Sequence, residues 1–343
     1  MAGLKYHAYR TAFEILSLSG VSPLIRRFSQ CCGVIFTLHR VLPEPPAQFS
    51  PNAILQITPE FLDAVIAGVR QIGMEIVTLD EGLRRLRSPI EERLFVVLTF
   101  DDGYRDNLEH ALPVLERHDA PFTIYIPTAY IDGAGRVWWQ ALEDIIRTHS
   151  SIEADTGGGA GRIATDTIKA KHAAYDRLYA RMRALREPDR EHMMSDLALQ
   201  AGYDLDAQCR DLIMGWDELR DLSRNPLCTV GAHTVHHYEL AKLSETDARE
   251  EITGSIDRLE SELGERPRHL SYPIGGRASA GAREYELALQ AGVASAVTTL
   301  PGGLYPHSTS EITALPRISL NGLFQERRFV DVFATGAIFS IAR

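Results

Sequence analysis

The run LFVVLTF at residues 94–100 is the feature that most restricts the fold of this chain. An uninterrupted stretch of apolar and β-branched residues is typical of a strand buried on both faces, as in a parallel sheet covered by helices. The run ends at Asp101, Asp102 and Gly103. Because ligands bind at the carboxyl ends of the strands in parallel α/β folds, the two carboxylates lie where a functional site is expected.

Strand and helix patterns alternate over most of the chain. Strand-like runs at 33–41, 94–100 and 121–128 are separated by helix-like runs at 57–73 and 105–118. This alternation predicts an α/β protein with a parallel sheet. Further strand-like runs follow at 228–231, 271–274, 294–299 and 315–320.

One stretch departs from the alternation. From about 140 to 213 a glycine-turned segment is followed by a long, charged helical pattern, which predicts a helical insertion. The length of 343 residues suits either two domains or one barrel-like domain that carries an insertion. We expect the main domain over 33–324, an N-terminal helical segment at 1–32 and a C-terminal amphipathic helix at 325–343.

Composition excludes several classes of protein. The chain has 36 Lys and Arg against 46 Asp and Glu, a net charge of −10, whereas a general nucleic-acid binder requires a basic surface. Its four cysteines show no Cys-x-x-Cys spacing, so we expect reduced thiols rather than a disulfide framework or a zinc ribbon.

Both ends of the chain are amphipathic. No apolar run reaches the ~18 residues of a membrane-spanning helix, and residues 1–30 lack the pattern of a secretory signal, so a cytoplasmic location is expected. Two interpretations of the ends stay open. They rest on an anionic membrane surface, or they pack as helices on the main domain.

The adjacent carboxylates of Asp101 and Asp102 also have two interpretations. Like charges a few ångströms apart resist joint ionisation unless a cation neutralises them, which favours a metal ion. Alternatively, Asp followed by Gly and a helix is typical of a helix cap, although a cap requires only one Asp.

A histidine cluster, HTVHH at 233–237, has the composition of a metal site. His233 and His237 are four positions apart, so a helix or a tight loop can bring their rings together. Two histidines and one carboxylate form a known catalytic zinc set, with positions left open for water and substrate. Taken alone, however, a pair of histidines is more often structural.

Three segments together resemble one known family. TFDDG at 99–103, HTVHH at 233–237 and SYPIG at 271–275 are similar to motifs of the polysaccharide deacetylases, the NodB-homology or carbohydrate esterase family 4 proteins. The resemblance covers approximately 33–320, and the Tyr-Pro-x-Gly form of the third motif resembles the exopolysaccharide branch. It implies a distorted (β/α) barrel with a helical insertion, and metal-dependent removal of N-acetyl groups from sugars.

The resemblance also implies roles for individual residues. Asp101 would be the general base, and Thr234 would brace the histidine loop. The metal ligands would be Asp102, His233 and His237. This donor set favours Zn²⁺ or a similar first-row ion over Mg²⁺ and Ca²⁺.

The chain departs from the commonest family pattern in two places. The arginine that usually orients the base is absent from the third motif, and we expect Arg317 to reach Asp101 instead. The late Leu-x-His motif that supplies the acid is also absent. His39, which ends the first strand of the domain, is predicted to be the general acid, as in permuted exopolysaccharide deacetylases. His269 and His307 are the alternatives.

The predicted reaction is removal of N-acetyl groups from an N-acetylhexosamine-containing saccharide or a lipid-linked glycan precursor, by metal-activated water. A backbone N–H near Ile274 would hold the oxyanion, and Tyr272 and Trp139 are predicted substrate contacts. Two alternatives stay open. One is an amidohydrolase of the same fold acting on a small cyclic amide or imide, and the other is a carbohydrate-binding relative without catalytic activity.

Overall fold

A computed structural model describes residues 2–20, 22, 31–87 and 94–336, with the backbone alone at 2–9, 307 and 309. The strands are β1 (Gly33–Leu38), β2 (Arg40–Val41), β3 (Gln56–Ile57), β4 (Glu75–Ile76), β5 (Phe95–Phe100), β6 (Phe122–Ile126), β7 (Ser151–Asp155), β8 (Ala160–Ala164), β9 (Cys228–Ala232), β10 (His269–Ser271), β11 (Ser295–Val297) and β12 (Ile318–Ser319).

The α-helices surround these strands. They are α1 (Ala2–Ser19), α2 (Pro59–Gln71), α3 (Leu79–Leu86), α4 (Leu112–Arg117), α5 (Thr128–Ile131), α6 (Trp138–Thr148), α7 (Ile168–Ala184), α8 (Glu187–Ala201), α9 (Leu205–Leu212), α10 (Trp216–Ser223), α11 (Glu245–Leu263), α12 (Ala282–Gln290) and α13 (Val330–Ala334).

The main sheet is parallel and curled. Its strand order is β11-β10-β9-β6-β5-β1-β12. One edge of β5 pairs with β4 along its amino-terminal half and with β6 along its carboxyl-terminal half. A parallel bridge between Val297 and Leu315 links the two ends of this order. The predicted distorted (β/α) barrel is therefore confirmed.

Alternate residues of the central strands enter two different apolar layers. In β1 and β5, Phe36 and Leu98 pack with the surrounding helices, whereas Ile35 and Val97 pack inside the barrel with Val297. Side chains two positions apart in a strand share a face, so Thr99 and then Asp101 follow Val97 toward the interior.

The predicted insertion is mainly helical but begins differently from the prediction. After α6, strands β7 and β8 form an antiparallel hairpin, and α7, α8 and α9 follow. The hairpin turn contains Gly157 and Gly159 with φ of +105° and +100°, and the Asp155 carboxylate accepts both of their N–H groups. The glycines noted in the sequence thus form the loop of a hairpin, and the residues on either side pair as strands.

The described parts of the two terminal segments lie together on the barrel. The Phe13 ring of α1 is 5.1 Å from the Phe324 ring and 5.3 Å from the Phe333 ring. The C-terminal helix predicted at 325–343 is much shorter in the described part, where only α13 follows a 3₁₀ turn, and 337–343 lie outside the described residues. The apolar residues of α13 are buried against the domain. This packing agrees with the interpretation that the ends form helices on the main domain. Among the described helices, none combines the length and the hydropathy needed to cross a membrane.

Replacing Phe13 with alanine should lower the free energy of unfolding by about 3–5 kcal/mol, because a 5 % exposed ring in an aromatic cluster is lost. Ile15, on the same helix but 62 % exposed, is the matched control, and Ile15→Ala should change stability by less than about 0.5 kcal/mol. Urea unfolding of both variants measures the difference. Equal effects would mean that α1 is not an integral part of the domain.

Candidate active site

Four segments of the sequence meet at the carboxyl edge of the barrel. His39 follows β1, Asp101 and Asp102 follow β5, and His233 follows β9. Arg317 directly precedes β12, which pairs with β1. Adjacent parallel strands end at the same edge, so residues distant in sequence become neighbours there.

Asp102, His233 and His237 form a buried cluster whose potential ligand atoms lie within 4.8 Å of one another. Asp102 Oδ1 is 3.2 Å from His237 Nε2 and 3.6 Å from His233 Nε2. Although it is buried, Oδ1 has no hydrogen-bond partner among the described residues. An unpartnered buried carboxylate oxygen is unfavourable unless a cation binds it, so the three residues fit a divalent metal ion.

The backbone around these ligands adopts conformations that side chains rarely allow. Asp102 has φ of +77°, and Thr234 and His237 have φ of +64° and +60°. The Thr234 hydroxyl accepts the His237 N–H at 3.1 Å, and the Thr234 carbonyl accepts the Thr128 N–H at 3.2 Å. Strained backbone persists only where surrounding contacts hold it, as they do here.

The protonation of both histidines suits metal binding. His233 Nδ1 lies 2.6 Å from the Ser271 carbonyl oxygen, and because a carbonyl only accepts, Nδ1 carries the proton. This leaves Nε2, which lies 3.6 Å from Asp102 Oδ1, as the nitrogen that can bind a metal. Burial lowers the pKa of His237 despite the opposing effect of Asp102, so its ring is neutral, as a ligand must be.

Arg317 forms a two-pronged ion pair with Asp101. Its Nη1 and Nη2 donate to the two carboxylate oxygens at 2.7 and 2.6 Å. The same guanidinium donates to Thr99 Oγ1 at 3.2 Å and to Ser271 Oγ at 3.0 Å. Burial would raise the pKa of Asp101, but the Arg317 guanidinium beside it lowers that pKa by more, so this carboxylate is ionised.

His39 is half-buried at the end of β1, and its carbonyl accepts from the Asn107 side chain at 2.8 Å. Burial raises the pKa of Asp101 and Arg317 lowers it most. His39 lies close enough to lower the pKa of Asp101 by a smaller amount. The alternative His269 is fully buried at the start of β10, at the opposite end of the barrel, with Nδ1 2.9 Å from Ser295 Oγ. That position excludes His269 from this edge. The side chain of the other alternative, at 307, lies outside the described residues.

Two predicted substrate contacts are buried in the protein. Tyr272 is fully buried, and its hydroxyl donates to the Thr313 carbonyl at 2.8 Å. Trp139 is 5 % exposed, its indole N–H donates to Tyr104 Oη at 3.1 Å, and its ring centre lies 5.1 Å from that of His237. Both rings are largely covered by other protein groups, and the two substrate contacts remain predictions. Trp139 packs against His237 and leaves little of its ring exposed.

Ile274 lies in a tight turn after β10. It has φ of +61°, Gly275 has φ of +63°, and the Ile274 carbonyl accepts from Thr299 Oγ1 at 2.6 Å. A Cβ at position 275 would lie 2.7 Å from the Thr299 nitrogen, so this position requires glycine. The turn therefore holds its peptide groups in fixed directions, which is the property that an oxyanion site needs.

Several residues of the site were not predicted from the sequence. Thr99 precedes Asp101 by two positions, so its place on the same strand face could have been predicted. Ser271, which binds both His233 and Arg317, is part of the third motif but gave no separate signal. Glu251 contacts the histidine loop from α11, and nothing local in the sequence indicates that contact.

Comparison with known proteins agrees with this architecture. The sequence profile of the polysaccharide deacetylase family matches residues 91–293. This match spans more than half of the chain, so the protein belongs to the polysaccharide deacetylase family. Among curated protein sequences, none matches significantly.

Solved structures of deacetylases share the fold. The Streptococcus pyogenes deacetylase PplD, solved in complex with acetate, has a TM-score of 0.55 at 16% identity, with 84% of this chain and 92% of that chain covered. IcaB from Ammonifex degensii has a TM-score of 0.55 at 18% identity, covering 88% and 97%. A de-N-acetylase from Aggregatibacter actinomycetemcomitans has a TM-score of 0.52 at 13% identity, covering 84% and 95%.

Arg317→Met should lower the free energy of unfolding by about 3–5 kcal/mol at neutral pH, since Asp101 stays buried without its cation. In the native protein the pKa of Asp101 is lowered, so its ionised form stabilises the fold above its unfolded pKa. In the variant burial raises that pKa, and stability falls as pH rises. The deficit should therefore be larger at about pH 8 than at about pH 5 in urea unfolding.

Arg317→Lys is the control for that experiment. It keeps the positive charge but not the fork, so its deficit should be smaller and nearly independent of pH. If methionine and lysine had equal effects at both pH values, the ion pair would not be the source of the stability.

Proposed function

We propose that this protein is a metal-dependent hydrolase that removes N-acetyl groups from an N-acetylhexosamine-containing saccharide or glycan precursor. The observation that carries the proposal is the buried Asp102, His233 and His237 cluster, beside an ionised Asp101 at the carboxyl edge of the barrel. Membership of the polysaccharide deacetylase family supports the reaction class. The mixture of nitrogen and carboxylate donors favours Zn²⁺ or another first-row ion.

The ion, when bound by these three residues, supplies a Lewis acid that polarises the acetyl carbonyl and acidifies water. Asp101 accepts the proton of the attacking water, and Arg317 keeps this carboxylate ionised and fixed in direction. The Ile274 peptide N–H donates to the oxyanion that forms as water adds to the carbonyl carbon. His39 donates a proton to the amine nitrogen as the C–N bond breaks, which gives acetate and a free amino sugar.

Acetate release from a panel of N-acetylated saccharides and lipid-linked glycan precursors tests the proposal, with and without a chelator. We expect release from at least one member, loss of release with the chelator and its return with Zn²⁺. Release from none of them, together with hydrolysis of small cyclic amides, would assign a different amidohydrolase activity. Saccharide binding without release would indicate a non-catalytic relative.

Alanine at position 102, 233 or 237 should abolish both metal binding and turnover, because each change removes a ligand. His236→Ala is the matched control within the same loop, since the His236 side chain is 48% exposed and turned to Glu251. Metal content of the purified variants provides the measurement. If His236→Ala lost the ion while His237→Ala kept it, the assignment of ligands would be incorrect.

Asp101→Asn should retain the metal but lower kcat by about 10²–10⁴-fold, because the amide is nearly isosteric but cannot accept the proton. Single-turnover kinetics at saturating substrate separate this loss from weaker binding. Near-normal turnover in the metal-loaded variant would mean that another group takes the proton.

His39→Ala should bind metal normally and lower kcat by about 10²–10⁴-fold, since the amine would leave without a proton donor. The pH–rate profile distinguishes this role from a structural one. A general acid must be protonated to act, so the alkaline limb should disappear in the variant. An intact alkaline limb would move the role to another residue.

A further inference from the structure

The loop that carries both histidine ligands is held from two sides. On one side, the N–H groups of Thr128 and Ala129 donate to the carbonyls of Thr234 and Val235 at 3.2 and 2.9 Å. These contacts secure the carbonyl groups at the start of the loop. The N–H groups of Val235 and His236, which lie between the two ligands, face the other side, toward α11.

Glu251 of α11 accepts both of these N–H groups. Its Oε2 receives the Val235 N–H at 3.0 Å and the His236 N–H at 2.8 Å, while Oε1 lies 2.5 Å from His236 Nδ1. The Glu251 side chain is 8% exposed, so the interaction is largely shielded from water. A carboxylate that accepts two adjacent peptide N–H groups fixes the orientation of both peptide planes.

The helix is also in close contact with this loop. A Cβ at Gly254, three positions after Glu251, would lie 3.3 Å from Val235 Cγ2. Glycine at that position therefore allows α11 to approach closely enough for the short Glu251 contacts. The close approach and the carboxylate both act on Val235, which lies between Thr234 and His237, two residues with positive φ.

We propose that Glu251 is a positioning residue for metal binding, an inference that rests on the proposed function. It holds the peptide groups of Val235 and His236 so that Thr234 and His237 stay in the left-handed conformation. That conformation directs the His233 and His237 rings to one point beside Asp102. Without the carboxylate, two N–H groups lose their acceptor and the loop relaxes toward ordinary φ values, which separates the rings.

This role differs from that of Glu239, another buried carboxylate near the loop. Glu239 accepts from Ser279 Oγ at 2.6 Å and from Arg183 at 2.8 Å, and it lies after His237. It therefore fixes the chain where the loop ends. Glu251 alone of these two contacts the residues between the ligands.

Zn²⁺ affinity, measured by competition with a chromogenic chelator, tests the inference on the full chain. Glu251→Ala should weaken binding by about 10–100-fold, the usual effect of losing a group that orients metal ligands. Glu251→Gln keeps one acceptor oxygen and should lie between alanine and the native protein. Glu250→Ala, an exposed carboxylate on the same helix, is the matched control and should bind like the native protein.

A spectroscopic measurement separates positioning from general loss of structure. The visible absorption of the Co²⁺-loaded protein reports ligand geometry and should change in Glu251→Gln, while far-ultraviolet circular dichroism of the metal-free protein stays the same. Saturating Zn²⁺ should restore most of kcat in that variant. Unchanged Zn²⁺ affinity and an unchanged Co²⁺ spectrum in both Glu251 variants would overturn the inference. If the native protein itself bound no Zn²⁺, the proposed function would fail with it.

Discussion

Two adjacent carboxylates are buried where β5 ends, and the surrounding structure depends on how their charges are compensated. Asp101 and Asp102 are each 2 % exposed, and burial of two neighbouring anions is strongly unfavourable unless cations or hydrogen-bond donors face them. Arg317 compensates the charge of Asp101 through a buried, two-pronged ion pair. The cluster that Asp102 forms with His233 and His237 fits a divalent ion. The polar groups above the apolar layer of the barrel are thus one set of interacting charges. Removing any one of them leaves another charge without its partner.

The circular order of the strands explains how the chain supplies these partners. Because β1 lies between β5 and β12, groups from the beginning and the end of the domain flank the same carboxylates. Arg317 therefore occupies a place that family members more often fill from the third motif, and His39 lies on the neighbouring strand end. The fold determines where a charge is placed at the edge of the barrel. The residue that carries this charge can come from different segments of the sequence.

The sequence was informative wherever a short run of residues determines the outcome. The apolar run of β5 predicted a buried parallel strand, and the motif around Asp102 and the histidines predicted residues that the fold brings together. It was less informative where burial depends on distant packing. Tyr272 and Trp139 belong to motifs or aromatic pairs that favour substrate contact, yet partners far away in sequence cover their rings. The Glu251 contact joins a helix to a loop. Helical periodicity places Glu251 on the buried face of α11 with Ala248 and Ser255, but it does not indicate that this face meets the histidine loop. The hairpin of the insertion was missed because its strands are short and only one of their residues, Ile152, is buried, so they lack an apolar face.

The span between Asp101 and Arg317 has a consequence for biosynthesis. These partners are 216 positions apart, and β12 is the last strand among the described residues. While the ribosome is still adding the intervening residues, β1 and β5 can pair, but their polar edge has no guanidinium to meet it. Contacts of such long sequence separation form late and slow folding. The carboxyl edge is therefore the part of the barrel that a nascent chain completes last.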